Sequence, residues 1–232
     1  LPITILGIGV IVAIHWLFFF ESIKVSNVSI AVVSLATSSL FSAIIEPFVF
    51  KRKIIFYEVF FGIIVVLALS FAMNTNMDYL LGYVYGVIAA FLATLFTFFN
   101  SMYINKVESS KITLIEMFGG WLFISLYVLL FTDSSLADFA ISKQDLIYLL
   151  LLGLICTSFA FAVSIEVMKT LSPYSVIMAI NLEPIYSIIV ALILFGESEK
   201  MTPSFYIGAS IIILTVFLDG YLKTKHKNKT IK

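Results

Sequence analysis

The sequence predicts an all-α, polytopic bundle of membrane-spanning helices, and composition, block length and polarity lead to this class. Of its 232 residues, 61% are hydrophobic and only 12% are charged, and the mean hydropathy is +1.11. An ordinary soluble domain carries about 25% charged residues. Eight apolar blocks are long enough to cross a bilayer, which takes about 20 residues of helix. Membrane strands need only about 9–11 residues of alternating polarity, so these blocks predict helices.

The eight predicted helices form two groups, three before Asn74 and five after Asp78. Short connections separate the helices, and no connection is long enough to fold as a soluble domain. The blocks are Ile3–Phe20, Val28–Phe50, Ile54–Met73, Tyr79–Tyr103, Ile112–Phe131, Leu146–Met168, Tyr174–Phe195 and Phe205–Leu222.

Basic residues predict the orientation of the chain, because cytoplasmic connections are enriched in lysine and arginine. If the C-terminal tail is cytoplasmic, eleven of the 14 basic residues fall on that side, and only Lys24, Lys143 and Lys200 fall on the other. Arg52 is the single arginine, and this lysine-rich composition favours a bacterial source. The sequence therefore predicts a multi-pass protein of the cell membrane, the bacterial inner membrane, with both termini in the cytoplasm.

Composition argues against several functional classes. Basic and acidic residues balance to a net charge of zero, which suggests no nucleic-acid partner. Cys156 is the only cysteine, and His15 and His226 are the only histidines, so no disulfide, metal centre or cofactor is predicted. No GxxxxGK[ST] loop is present to bind ATP, and no HExxH or paired-aspartate motif suggests an enzyme.

Two similar segments predict an internal repeat. Residues 26–29 (Ser-Asn-Val-Ser) open the second block, and residues 172–175 (Ser-Pro-Tyr-Ser) open the seventh. They are five helices apart, and an odd number of helices inverts orientation, as in transporters built from two inverted repeats. The first repeat, 1–73, then shows three helices, the second, 79–222, shows five, and 223–232 forms a basic cytoplasmic tail. The sequence thus predicts a ten-helix protein whose first two helices are missing here.

The seventh block carries a family resemblance. The residues that carry it are Ser172-Pro173, Asn181-Leu182-Glu183-Pro184-Ile185-Tyr186 and Phe195-Gly196-Glu197, followed by a last helix with Gly208. This pattern resembles the EamA-type transporters of the drug/metabolite transporter superfamily. The first repeat resembles the family less closely, because Phe50-Lys51 stands in place of a Gly-Glu pair. The resemblance implies ten helices and the transport of small metabolites across a lipid bilayer.

These observations predict a secondary transporter that moves small metabolites by alternating access, without ATP, as an exporter or exchanger. One alternative is a non-transporting scaffold or receptor, although the short connections leave little surface for a partner. The other is a membrane-embedded enzyme, against which the absence of clustered catalytic motifs argues.

Polar residues inside apolar blocks are the candidate site residues, because ionisable groups at membrane depth are costly and often functional. Glu183 is predicted to contact cargo, take up a proton or support a helix break, which Pro184 causes by clashing with the carbonyl of Ile180. The alternative role of Glu183 is structural, as a carboxyl group hydrogen-bonded to exposed backbone. Asn181 favours an interhelical hydrogen bond over ligand contact. Ser187 shares the face of Glu183.

Four further residues are candidates for lining a cavity. His15 and Trp16 lie in the first helix, where Trp16 either stacks on a planar substrate or joins an interfacial aromatic belt. Asn100 is polar within a phenylalanine-rich run, and Trp121 follows two glycines in the next helix. We expect Asn100 to face the bundle interior or a cavity that Trp121 also lines.

Other polar and small residues are expected to serve structure. Glu46 is predicted to form a salt bridge with the basic cluster at 51–53 or to extend to the interface, and Glu166 is predicted to pair with Lys169. Gly82 and Gly86 are four residues apart, a spacing typical of close helix packing.

Overall fold

The computed structural model describes residues 2–74, 77–132 and 140–230. Over these ranges all regular elements are helical. Six helical segments are long and apolar enough to cross a membrane, and two shorter apolar helices cover Phe56–Ala72 and Pro203–Asp219. These eight segments correspond one for one to the eight predicted blocks, which confirms an all-α polytopic bundle.

Eleven α-helices make up the described part of the chain, and three of the crossings contain a break or a change of helix type. A π-helical segment, Leu151–Phe159, joins two of the helices, and a short 3-10 helix, Gly196–Glu199, follows another. The α-helices are α1 Pro2–Val25, α2 Val28–Leu35, α3 Ser38–Phe50, α4 Phe56–Asn74, α5 Leu80–Tyr103, α6 Ser109–Phe131, α7 Lys143–Leu150, α8 Ala160–Val167, α9 Pro173–Ile180, α10 Glu183–Phe195 and α11 Pro203–Thr230.

The predicted basic tail is partly described. Its backbone continues α11 as far as Thr230. The last two residues of the tail, 231 and 232, lie outside the described residues.

The chain divides into two units by packing. The first unit contains Leu1–Ile14 and Phe99–Leu171. Within it, α1 and α6 pack backbone to backbone, since a Cβ atom added to Gly119 would lie 2.4 Å from the carbonyl oxygen of Leu6. Helix α8 also packs on α6, whereas the most apolar window of the Lys143–Val167 crossing has no buried residue.

The second unit contains His15–Phe98 and Ser172–Lys232. Helix α4 packs against both α3 and α11. The close approach to α11 occurs at Gly208, where an added Cβ atom would lie 2.7 Å from the carbonyl oxygen of Ala68. Buried apolar side chains from five helices form the core: Ile30, Val33, Ala36, Val65, Leu69, Tyr83, Ile188, Phe205 and Ile212.

The predicted close packing at Gly82 and Gly86 is confirmed. An added Cβ atom would lie 2.3 Å from Ser26 Oγ at Gly82 and 2.4 Å from Ser34 Cβ at Gly86. Helix α5 therefore lies directly against the start of the second crossing, and only glycine leaves room for this contact.

Two crossings, α2–α3 and α9–α10, are broken in the same way. Each has an eight-residue first half and a 13-residue second half. The side chains of Asn27 and Ser172 cap the first halves. Lys51 (φ 52°) and Gly196 (φ 60°) follow the second halves and are the two residues of the described chain with left-handed φ. The two crossings therefore match in the lengths of their halves and in the residues that cap and end them, and the repeat stays a prediction.

The caps and helix ends correct the predicted pairing of the repeats by one residue. Asn27, rather than Ser26, is the counterpart of Ser172, and Lys51 alone takes the place of Gly196. The sequence aligns the two segments by their identical serines. The structure aligns them by the residue that caps the first helix, whose side chain accepts a hydrogen bond from the first helical turn.

Candidate functional site

The two broken helices of the second unit contact each other at their breaks. Helix α2 packs on α10, and α3 packs on α9. Asn181, which is 2% exposed and follows the last residue of α9, accepts a hydrogen bond from Ser38 Oγ at 3.1 Å. Its Nδ2 donates to the carbonyl oxygen of Ala36 at 3.3 Å. One side chain therefore joins both breaks, which is the interhelical hydrogen bonding predicted for Asn181.

Pro184 lies in the first turn of α10, just after the break. The backbone N–H of Asn181 still bonds to the carbonyl of Ile177, and that of Leu182 bonds to Ala179. First-turn N–H groups have no acceptor within a helix, so proline loses no hydrogen bond there. The predicted break near Ile180 is present, but the predicted clash is not, because α9 ends before Pro184.

Glu183 begins α10 and is half-buried. A carboxylate at a helix N-terminus interacts favourably with the helix dipole. Within the described residues, its carboxyl group makes no hydrogen bond, so the predicted structural alternative of a bond to exposed backbone has no counterpart. Ser187 lies one turn further along α10 and is also half-buried.

A cavity of about 460 Å³ lies beside the α2–α3 break. Its walls come from the break and from α3, α4 and α5, and they are apolar apart from Thr37, Ser70 and Tyr83. Thr37 donates its hydroxyl hydrogen to the carbonyl of Ser34 in α2, and Ser70 donates to that of Val66 within α4. Tyr83 is 1% exposed, and its hydroxyl has no hydrogen-bond partner among the described residues. A compound held here would be largely apolar with one hydrogen-bonding group.

Carboxylates bind the N-terminal ends of both broken crossings. Glu199 accepts hydrogen bonds from the backbone N–H groups of Val28 and Ser29, each at 3.0 Å, and from Ser29 Oγ at 2.7 Å. Glu46 accepts one from the backbone N–H of Tyr174 at 3.1 Å. Each carboxylate comes from the far end of the other broken crossing, so the pair is tied together at both ends as well as at the breaks.

Comparison with known proteins identifies the family. Residues 80–219, more than half of the chain, match the EamA-like transporter family. The chain belongs to this family. It is a family of transporters rather than of enzymes, and its membership agrees with a multi-pass membrane protein that handles a small-molecule substrate.

A solved structure also resembles this EamA-family chain. The structure, described only as "Crystal structure of protein", covers 97% of this chain and 77% of its own, with a TM-score of 0.69 and 14% sequence identity. At that identity the likeness concerns the fold alone. No curated protein matches the chain.

His15 and Trp16 occupy different environments in the EamA-family chain. His15 is 9% exposed, and its Nδ1 lies 2.8 Å from the carbonyl oxygen of Ala89, to which it donates. Its ring stacks on Phe19 and meets Phe96 edge-on, with centroids 6.2 and 5.4 Å away. Trp16 is half-buried. His15 thus has a packed, hydrogen-bonded site, whereas Trp16 is partly open.

Asn100 and Trp121 lie in different surroundings within the first unit. Asn100 is 1% exposed and donates through Nδ2 to Glu116 Oε2 at 3.2 Å. Trp121 is 61% exposed, with its ring centroid 5.6 Å from that of Phe118. The expectation that both line one cavity therefore gains no support, because Trp121 lies on an exposed face of α6.

Four buried carboxylates were absent from the sequence-based candidates: Glu58, Glu116, Glu199 and Asp219. Glu116 is fully buried in α6, and Glu199 is 4% exposed. Glu116 carried the same signal as Glu183, a single carboxylate inside an apolar block. Glu199 carried none, because it lies in a polar connection beside Glu197, which instead pairs with Lys200 at the exposed surface.

The ion pairs expected at helix ends are confirmed. Arg52 Nε lies 3.2 Å from Glu46 Oε1, and Arg52 Nη2 lies 2.9 Å from Glu58 Oε2. Burial opposes the charge of Arg52, but hydrogen bonds and the charges of Glu58 and Glu46 outweigh burial and raise the pKa of the guanidinium. Glu166 pairs with Lys169 at 2.6 Å.

Proposed function

We propose that this EamA-family chain is a secondary transporter that exports or exchanges small metabolites by alternating access. The proposal places it in a cell membrane, the inner membrane of a bacterium, with both termini in the cytoplasm. It also assigns residues 1–73 and 79–222 to two inverted repeats of a ten-helix protein.

One observation carries this proposal: two crossings are each broken after an eight-residue helix, and Asn181 joins them at their breaks. Breaks expose backbone groups that a regular helix would satisfy internally, and transporters use such groups to hold cargo near the middle of the bilayer. The cavity beside Thr37 adds space of the size of a small metabolite.

The proposed binding residues are those nearest the breaks. Asn181 and Pro184 set the backbone geometry, and Glu183 and Ser187 offer polar groups on one face of α10. The apolar cavity with the Tyr83 hydroxyl favours cargo with a substantial apolar part. His15, Trp16, Asn100 and Trp121 stay predictions as cavity-lining residues.

The proposal is tested by reconstituting the natural full-length protein in vesicles and measuring exchange of labelled metabolites from a library. Glu183→Gln is expected to lower exchange about tenfold or more, since a hydrogen bond to a charged group contributes about 1.5–3 kcal/mol. Its thermal stability should stay close to that of the unaltered protein, because Glu183 has no partner in the described residues.

Glu197→Gln is the matched control, because Glu197 is an exposed carboxylate paired with Lys200. Unchanged exchange in Glu183→Gln would refute the assigned site and leave transport itself supported. No exchange of any compound by the unaltered protein, together with catalytic turnover of one, would refute the transporter proposal.

A further inference from the structure

Three polar side chains are buried in the interior of the first unit, and two of them, Asn100 and Glu116, are hydrogen-bonded to each other. Asn100, Thr113 and Glu116 are 1%, 6% and 0% exposed, and Asn100 Nδ2 donates to Glu116 Oε2 at 3.2 Å. The remaining oxygens, Asn100 Oδ1, Thr113 Oγ1 and Glu116 Oε1, are buried with no hydrogen-bond partner in the described chain. Three such atoms on two consecutive helices are unusual, because buried polar groups are nearly always satisfied.

No cation compensates Glu116 among the described residues. Residues 2–14 of α1, which pack on α6, contain no ionisable side chain. On α5, the ionisable residue nearest to Asn100 in sequence is Tyr103. On α6, Lys111 pairs with Glu108. On α8, Glu166 pairs with Lys169. An ionised carboxylate buried without a partner is very costly, so the ligand that this group lacks is a positive charge.

The packing around Glu116 leaves space for only a very small ligand. A Cβ atom added to Gly9 would lie 2.1 Å from the carbonyl oxygen of Glu116, so α1 seals this part of α6. A proton on Glu116 Oε1 needs no such space. The resulting O–H becomes a donor. Two buried acceptors without a partner are available on the same two helices: Asn100 Oδ1, on the side chain that already bonds to Glu116, and Thr113 Oγ1, three residues before Glu116 on the same face of α6.

The connection between α5 and α6 offers a route for the proton. A cavity of about 310 Å³ is lined by residues 104–108 and Lys169. Ile104 belongs to this lining, and its backbone N–H donates to the carbonyl oxygen of Asn100 at 3.0 Å. The polar cluster therefore lies one helical turn from a cavity at the end of the helix.

We propose that Glu116 binds and releases the proton that drives transport, with Asn100 and Thr113 holding its carboxyl group. The proposal rests on the transport function proposed above. Loss of the proton leaves a charge that the packing at Gly9 does not solvate. Deprotonation therefore favours a rearranged state in which water reaches α6, and protonation favours the packed state.

The first test is infrared titration of the reconstituted protein without any cargo. A band of a buried protonated carboxyl group should disappear as pH rises, and Glu116→Gln should lack this band. Glu197→Gln should keep it, because Glu197 is an exposed carboxylate paired with Lys200. Asn100→Leu and Thr113→Val should each shift the midpoint by about one pH unit or more. A band that survives in Glu116→Gln, or one that is lost in Glu183→Gln instead, would overturn the proposal.

The second test distinguishes the coupling of transport to protons from the movement of cargo itself. In Glu116→Gln, accumulation driven by a pH gradient should fall about tenfold. Counterflow of cargo without a gradient should continue. Gradient-driven accumulation equal to that of the unaltered protein, or a dependence on Na⁺ in place of pH, would contradict proton binding.

The two tests also keep the two proposals apart. A protein that titrates as expected and carries nothing would support the proton site and refute the transport function. If Glu116→Gln fails to fold, the midpoint of the infrared titration of Thr113→Val tests the proposal instead. An unshifted midpoint in that variant overturns the proposal.

Discussion

At the scale of single residues, Arg52 has the most demanding position. It is a quarter exposed, yet it bonds to two carboxylates that are 5% and 1% exposed, those of Glu46 and Glu58. Glu46 in turn binds the N-terminal end of α9. Removing one partner of a buried ion pair leaves an uncompensated charge, which costs more than the pair itself contributes.

We therefore expect Arg52→Met to destabilise the protein by about 3 kcal/mol. Arg52→Lys should restore part of the loss, because lysine keeps the charge but lacks the planar fork that serves both carboxylates. Thermal unfolding in detergent measures both. Lys53→Met is the control, since Lys53 is exposed next to Arg52. Equal stability of Arg52→Met and Lys53→Met would show that the ion pairs contribute little.

Residue identity alone revealed some of the buried polar groups and not others. Glu183, Asn181 and Asn100 stand out because they interrupt apolar blocks, and Asn181 and Asn100 are indeed buried and hydrogen-bonded. Glu199 was not predictable, because its burial depends on the approach of a distant helix end in space. Sequence spacing gives no information on which helix N-terminus a carboxylate will reach.

At the scale of helices, the break between α2 and α3 is a feature that helix propensity does not predict. No proline or glycine marks it, and the block reads as one continuous span. Hydroxyl groups cluster at the break instead. Ser34, Thr37 and Ser39 each donate a hydrogen bond to a backbone carbonyl of the preceding turn. Such bonds compete with the regular backbone pattern. The break before Pro184 was predictable because proline is favoured in the first turn of a helix and disfavoured in its interior. Proline alone does not determine a break, since Pro47 lies inside the continuous helix α3.

The crossing of α1 and α6 supplies a test at this scale. Gly9→Ala should destabilise the protein by about 1–3 kcal/mol, because its added carbon would collide with the backbone of Glu116. Gly7→Ala is a matched control two residues away, with nothing within 4 Å of the added carbon. In Gly7→Ala the gain in helix propensity, about 1 kcal/mol, is the only expected effect.

Urea or thermal unfolding of the two variants compares them directly. Because both substitutions lie in the same helix, their difference reports the contact with α6. If Gly9→Ala were as stable as Gly7→Ala, α1 and α6 would not pack backbone to backbone. The dry packing proposed around Glu116 would then lose its basis.

For the whole molecule, hydropathy predicted the number and order of the crossings, because each must independently bury its backbone polar groups in lipid. Hydropathy did not predict the division into packing units, which cut through α1 and α5. Units are set by side-chain contacts between distant segments, whereas repeats are set by the order of helices along the chain. The repeat boundaries stay predictions.

Orientation belongs to the whole molecule as well, and it can be tested with single cysteines. In a Cys156→Ala background, Ser198→Cys and Lys106→Cys place a thiol at exposed positions in two connections. The excess of basic residues on one side predicts that residue 106 is cytoplasmic and residue 198 is outside. A membrane-impermeant maleimide should then label the cysteine at 198 in right-side-out spheroplasts. It should label the cysteine at 106 only in inverted vesicles, and the opposite pattern would reverse the orientation of every crossing together.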